Sequence, residues 1–285
     1  MTASTSPPPS RPFFLPVSTG QRFCLYHAPS ASSDIHAALV YVHPFGEEMN
    51  RSRRIAALQA RAFAAAGVAV LQIDLHGCGD SSGDFADARW QSWIDDLALA
   101  HGWLAEQVTG PVGLWGLRLG VLLMLDYARQ ARRPIDRFIC WHPVMNGQAW
   151  LTQWLRLRLA GQMLDGDSGR DPAGGMQTLR ATLAQGRSLE IAGYELAPDL
   201  AAAIDAVDGL ALAPAGYRVD WFDIATGTGK PVTPAVSKAI AEWQRQQVGI
   251  SHQQVVGQAF WALPEITSCP SLIDATLAAF HTNPA

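Results

Sequence analysis

The chain has 285 residues, of which 48 % are hydrophobic and 16 % charged, the profile of a packed globular protein and long enough for one α/β sheet with an inserted segment. Its net charge of −4 argues against a general nucleic-acid surface, which needs excess Lys and Arg to displace counterions, although a local basic patch at Arg51, Arg53 and Arg54 stays open. The four cysteines, Cys24, Cys78, Cys140 and Cys269, form no C-x-x-C pair, so they support neither a zinc ribbon nor a redox motif and read as buried thiols of a reducing compartment.

Met1–Pro12 is rich in Ser, Thr and Pro without an apolar segment. It reads as a disordered leader to residues 13–285, not as a signal peptide. No apolar run approaches the roughly 20 residues that span a bilayer. A cytoplasmic protein without stable membrane insertion is therefore expected. Ala37–His43 is a nearly all-apolar run, as in a strand buried on both faces. Arg51–Ala66 has helical spacing and stops at Gly67. Val68–Asp74 is the next buried strand, followed by the Gly/Ser/Asp loop His76–Asp84. Arg89–Gln107 is an amphipathic helix with Trp90, Trp93, Ile94 and Leu97 on one stripe. Pro111–Trp115 is a strand, Leu119–Arg132 a helix and Ile135–Trp141 a strand. Strands separated by single helices imply βαβ units, a mainly parallel sheet and helices on both faces, a doubly wound α/β architecture.

The rhythm breaks after Pro143. Gln148–Leu164 reads as a helix, Asp165–Gly175 as a linker, Leu189–Leu196 as strand-like and Pro198–Val207 as a helix. Together, residues 144–210 read as a cap-like insertion over the strand ends. The Trp150, Trp154, Leu157 and Met163 face of the first helix then lies on the core. The sheet resumes at Tyr217–Ile224, where an outward Asp220 suits a strand nearer the edge. Ala235–Gln246 is a helix, His252–Phe260 the last strand and Pro270–Phe280 a closing helix.

Val112–Gly120 reads VGLWGLRLG. The glycines Gly116 and Gly120 frame a strand-to-helix turn whose middle residue is thrust up at the sheet edge. This is the frame of the α/β-hydrolase nucleophile elbow. A working enzyme carries Ser, Cys or Asp there, and this chain carries Arg118. A guanidinium stays protonated and has no acceptor lone pair, so it is no nucleophile. His43-Pro44-Phe45-Gly46 ends the first buried strand, where hydrolases place the loop that donates an oxyanion-hole N–H. Asp223 is the nearest candidate acid. The loop where a triad histidine belongs, Gly257–Trp261, contains none. His252 falls too early, and His281 falls in the tail.

Four runs carry a family resemblance: Pro44–Arg54 (PFGEEMNRSRR), Gly77–Phe85 (GCGDSSGDF), Trp115–Gly120 (WGLRLG) and Leu155–Leu159 (LRLRL). Together they resemble the exosortase A system-associated hydrolase 2 family, from about Ala37 to Phe280. The resemblance implies an α/β-hydrolase-like bacterial cytoplasmic protein. It also implies a genomic association with exopolysaccharide synthesis and the sorting of PEP-CTERM proteins, and arginine at the elbow as a family feature.

His43, Glu47, Glu48, Asp74, His76, Asp80, Arg118, His142 and Asp223 all fall near the C-terminal ends of the expected strands, the edge where open α/β sheets bind ligands. Three readings follow. In the first, the protein binds an anion such as an acidic sugar through Arg118, His142 and the backbone of Leu119, Phe45 and Gly46, the helix N-terminus adding to the attraction. In the second, His43, Glu47, Asp74 or Asp223 activates water in an unorthodox hydrolase. In the third, the chain is a scaffold for exopolysaccharide-system proteins. A carboxylate partner for Arg118 is expected in each case, because a buried guanidinium must be paired. No cofactor or metal is expected. His27, His36 and His101 lack ligand spacing, and Gly227–Lys230 matches a phosphate loop only superficially. Cys78 in its glycine loop reads as an inert thiol, and Ser81 and Ser82 as turn caps.

Overall fold

A computed structural model describes residues 9–29, 37–164 and 172–282. Two strands at the start, β1 (Arg11–Val17) and β2 (Gly20–His27), form an antiparallel hairpin. β1 includes Arg11 and Pro12, so the expected leader ends earlier than Pro12, and residues 1–8 of it lie outside the described residues. Four strands then alternate with helices: β3 (Ala37–Val42), α1 (Glu47–Ala65), β4 (Val68–Ile73), α2 (Trp90–Gln107), β5 (Val112–Leu117), α3 (Leu119–Gln130) and β6 (Arg137–Trp141). Between β6 and the next sheet strand come α4 (Gly147–Leu164), α5 (Pro172–Ala184), the small hairpin β7 (Leu189–Ile191) and β8 (Tyr194–Leu196), and α6 (Pro198–Ala206). The expected linker is helical from Pro172, and its residues 165–171 lie outside the described residues. β9 (Arg218–Ala225), α7 (Pro234–Arg245), β10 (Gly249–Val256) and α8 (Pro270–Thr282) complete the chain.

The strands join one sheet in the order β1-β2-β4-β3-β5-β6-β9-β10. β1, β2 and β4 are antiparallel neighbours, and all the other pairs are parallel. Apart from the partly buried Ala37 at the start of β3, the central strands β3, β5 and β6 are buried, since helices cover both faces. α1 and α8 close one face through Ile55, Phe63 and Leu272 on Tyr41, Trp115 and Trp141. α2 and α3 close the other through Trp93, Leu97, Leu122 and Leu125. Asp220 is buried rather than outward, and its Oδ1 accepts a hydrogen bond from Arg218 at 3.0 Å. The last strand ends at Val256, leaving Phe260 and Trp261 in the following loop.

This order fixes where a site can form. From β3 the chain crosses to β4 on one side, whereas β5 leads on to β6 on the other. The C-terminal ends of β3 and β5 therefore flank the point where the winding reverses, and the crevice of a doubly wound sheet opens there. The turns leaving these two strands have nearly the same conformation: Gly46 has φ 58° and ψ −139°, and Arg118 has φ 55° and ψ −123°.

Candidate functional site

Arg118 is the single residue between β5 and α3. Its positive φ strains a side chain by about 1–3 kcal/mol, a cost that persists only where the surroundings hold the turn. The Arg118 N–H donates to Trp141 O at 3.0 Å, and Arg118 O accepts from Val121 N at 3.1 Å and Val144 N at 3.3 Å. The start of α3 lies so close to the end of β3 that only glycine fits at residue 120. A Cβ there would stand 2.5 Å from Val42 O and 2.6 Å from His43 O.

The guanidinium is paired with one carboxylate, that of Glu48. Its Nε and Nη2 both donate to Glu48 Oε1, at 3.3 and 3.2 Å. The face of Trp261 lies 5.1 Å from the guanidinium carbon, a cation–π contact. Among the described residues, Nη1 has no hydrogen-bond partner. Burial pushes the Glu48 carboxyl above the usual carboxylate range, and the Arg118 charge pulls against that shift. Of the carboxylates expected near Arg118, Glu47 instead turns to Arg51 at 3.7 Å and to Tyr194, whose hydroxyl donates to Glu47 Oε1 at 3.0 Å. Asn50 Nδ2 donates to both Glu47 Oε1 and Tyr194 Oη.

Arg118, Glu48, Glu47, Arg51 and Trp261 line a cavity of about 460 Å³ between the strand ends and α4. Arg118, Arg51, Glu47 and Glu48 supply two charges of each sign, and Trp150, Trp154 and Trp261 supply aromatic walls. Trp150 and Trp154 are buried and stack at 5.2 Å, whereas Leu157 is 54 % exposed at the rim rather than packed on the core. Met163, expected on the same face, lies outside the described side chains. Of the anion-binding residues read from the sequence, Phe45 lines the cavity with Arg118. Gly46 packs under Trp154, and Leu119 is buried as the first residue of α3.

His142 stands behind this wall. Its ring stacks on Trp261 at 4.6 Å, and its Nδ1 accepts a hydrogen bond from Ile224 N at 3.0 Å. Burial, reinforced by the Arg118 charge and opposed by Asp223, lowers its pKa to about 4, so the ring is neutral near pH 7. Asp223 Oδ1 lies 3.5 Å from His142 Nδ1, and Asp223 Oδ2 lies 2.8 Å from His252 Nε2. His252 is therefore an acid partner's neighbour on β10, a contact the sequence did not disclose. A register of parallel strands was needed to see it.

His43 and Asp74 do not join the Arg118 cavity. They line a separate one of about 220 Å³, with Arg53 and Tyr41. His43 Nδ1 donates to Pro44 O at 2.7 Å and Nε2 accepts from Leu75 N at 3.2 Å. Both ring nitrogens are thus committed, and burial lowers the pKa of the ring. It has no lone pair with which to activate water. Asp74 Oδ2 accepts from Arg53 Nη2 at 2.9 Å and from Asp80 N at 3.0 Å. Its role is to hold the 74–84 loop. His76 is likewise turned away, its Nδ1 bonded to Arg22, which pairs with the buried Asp96 at 2.6 Å. Ser81 ties that loop to β2 by accepting from Phe23 N, and Ser82 by accepting from Gln21 N. Burial pushes the Cys78 thiol far up, so it is no thiolate nucleophile. Among the described residues, no three His, Cys, Asp or Glu side chains group to hold a metal, and no helix is long and apolar enough to cross a membrane.

Residues 33–166 match the family model described as serine aminopeptidase, S33. No curated protein matches the sequence. Among solved structures, the chain is similar to Est1E from Butyrivibrio proteoclasticus with ferulic acid bound, at 16 % identity and a TM-score of 0.65, covering 95 % of this chain and 98 % of that one. Alpha/beta hydrolase domain-containing protein 10 from mouse aligns at 15 % identity and a TM-score of 0.54, over 95 % and 99 % of the two chains. XC6422 from Xanthomonas campestris, an α/β serine hydrolase without lid, aligns at 16 % identity and a TM-score of 0.53, over 95 % and 92 %. With its mostly parallel sheet flanked by helices, this chain has the α/β-hydrolase fold.

Proposed function

We propose that this α/β-hydrolase-fold protein binds an anionic ligand, an acidic sugar, at the Arg118 turn and does not hydrolyse esters there. The observation that carries the reading is the guanidinium at the turn: Nε and Nη2 bond Glu48, the face lies on Trp261, and Nη1 of this cavity-lining residue has no partner among the described residues. Where a hydrolase carries its nucleophile, this chain carries a permanent cation. The tryptophans give the cavity apolar walls, and Glu47 offers carboxylate oxygens to sugar hydroxyls. The resemblance to the exosortase-associated family supports a bacterial cytoplasmic setting near exopolysaccharide synthesis, with proteins of that system as partners.

Calorimetric titration with D-glucuronate tests the reading. A charge-assisted hydrogen bond contributes about 1.5–3 kcal/mol, so Arg118→Gln is expected to weaken binding by about 10- to 100-fold. Equal binding in both proteins overturns the reading, and no binding in either favours a scaffold.

An active hydrolase is the second reading, and the Asp223–His252 contact at 2.8 Å is the observation in its favour. Among the described residues, no hydroxyl or thiol hydrogen-bonds His252, so its nucleophile would have to be water. Turnover that survives Arg118→Ala and is lost in His252→Ala distinguishes this reading.

A further inference from the structure

Glu48 occupies the part of Arg118 that an incoming anion would most readily take. A guanidinium receives a carboxylate best along an edge, with two parallel N–H donors. The Nε–Nη2 edge is already used, and a single oxygen, Oε1, takes both donors. Glu48 Oε2 is buried without a hydrogen-bond partner; the Trp150 indole favours the charged carboxylate without completing a bond to it. A second carboxylate arriving at Nη1 therefore meets one cation already shared with one anion. Arg51 adds little to balance it, because its Nε faces Glu47 and its Nη1 donates to Ala262 O at 2.8 Å.

Resting on the Arg118-site reading, we infer that Glu48 sets the specificity of the cavity: it admits a monocarboxylate, with proton uptake from solvent as the ligand seats, and rejects a phosphate dianion. Two carboxylates around one guanidinium resemble an acid dyad, in which one group holds a proton because both cannot stay ionised. The proton goes to the Glu48 carboxylate, and the ligand stays an anion on Arg118. Its existing upward shift from burial makes Glu48 the easier of the two to protonate. The charged groups that face it are Arg118 from the turn after β5 and Arg51 from its own helix, with the neutral Trp150 indole from α4. A phosphate monoester carries close to two charges above pH 7, and one protonated carboxyl leaves the second charge unanswered.

The test compares D-glucuronate with D-glucose 6-phosphate, which share a pyranose ring and differ in the anion. Titrations at pH 6.5 and 7.5, in two buffers of different ionisation enthalpy, report the protons taken up. The wild-type protein is expected to take up a fraction of a proton with glucuronate, about half at most, and to favour it over the phosphate by about tenfold, the equivalent of one pKa unit of coupling. Glu48→Gln keeps the shape and removes the charge. It is expected to bind glucuronate about tenfold more tightly, to lose most of the discrimination and to abolish proton uptake. Weaker or unchanged binding in Glu48→Gln, or wild-type binding without proton uptake, overturns the inference and leaves the Arg118 site standing. If neither protein binds either probe, both fall. The proton measurement on the wild-type protein needs no variant, so absence of uptake overturns the inference even if Glu48→Gln misfolds.

Discussion

Gly120→Ala is expected to destabilise the protein by about 3 kcal/mol or more, the upper part of the range for overpacking a tight site. The added Cβ would lie 2.5 Å from Val42 O and 2.6 Å from His43 O. Both obstacles are backbone carbonyls at the end of β3, so no rotamer change relieves the clash. Either α3 or the β3 end must move, and each carries one side of the cavity. Gly161→Ala is the control. It lies in α4 with open space where the Cβ would go, and alanine in a helix is expected to add about 0.5–1 kcal/mol. Urea denaturation of the two variants measures both effects. A Gly120→Ala protein as stable as wild type would show that α3 does not start against β3 as described.

Ordinary esterase activity is expected to be absent, a large effect beside the at least about 10⁶-fold acceleration of a typical enzyme. Neither the turn after β5 nor the loop after β10 carries the usual side chains. Arg118 offers no lone pair. Trp261, in the loop after β10, packs on Arg118 and His142. Ser81 Oγ, the hydroxyl of the neighbouring glycine loop, donates to Asp74 O and accepts from Phe23 N. With p-nitrophenyl butyrate, no release above the rate in buffer is expected, from wild type or from Arg118→Ala. Turnover that a fluorophosphonate blocks, with the label mapped to one serine, would contradict this.

The parts of the fold legible in the sequence were those whose burial is uniform. β3 to β6 are apolar runs because both faces are covered, and their alternation with α1 to α3 fixes the parallel core. The edges were not legible. β1 carries Pro12 and Pro16 and an exposed Phe14, a composition that only an edge strand tolerates. β10 is mostly half-exposed, GISHQQVV, so its apolar signal drifted toward Phe260 and displaced the predicted strand. α5 opens with Pro-Ala-Gly-Gly, which reads as a linker until packing against α4 is known.

The site shows the same division. The Gly116–Gly120 frame located the Arg118 turn because steric need leaves a local trace. Which carboxylate meets Arg118 left none. Glu47 and Glu48 are adjacent in α1, about 100° apart around the helix, and only their orientation sends one to Arg118 and the other to Arg51 and Tyr194. The division of His43 and Asp74 from Arg118 into separate cavities, and the meeting of Asp223 with His252, depend on register and packing across elements. Neither depends on spacing along the chain.

A crystal structure with D-glucuronate tests the central claim most directly. The predicted result is a carboxylate oxygen about 3 Å from Arg118 Nη1, with the sugar ring against Trp150, Trp154 or Trp261 and no covalent bond to the chain. A glucuronate seated away from Arg118 in a cavity left empty would contradict it.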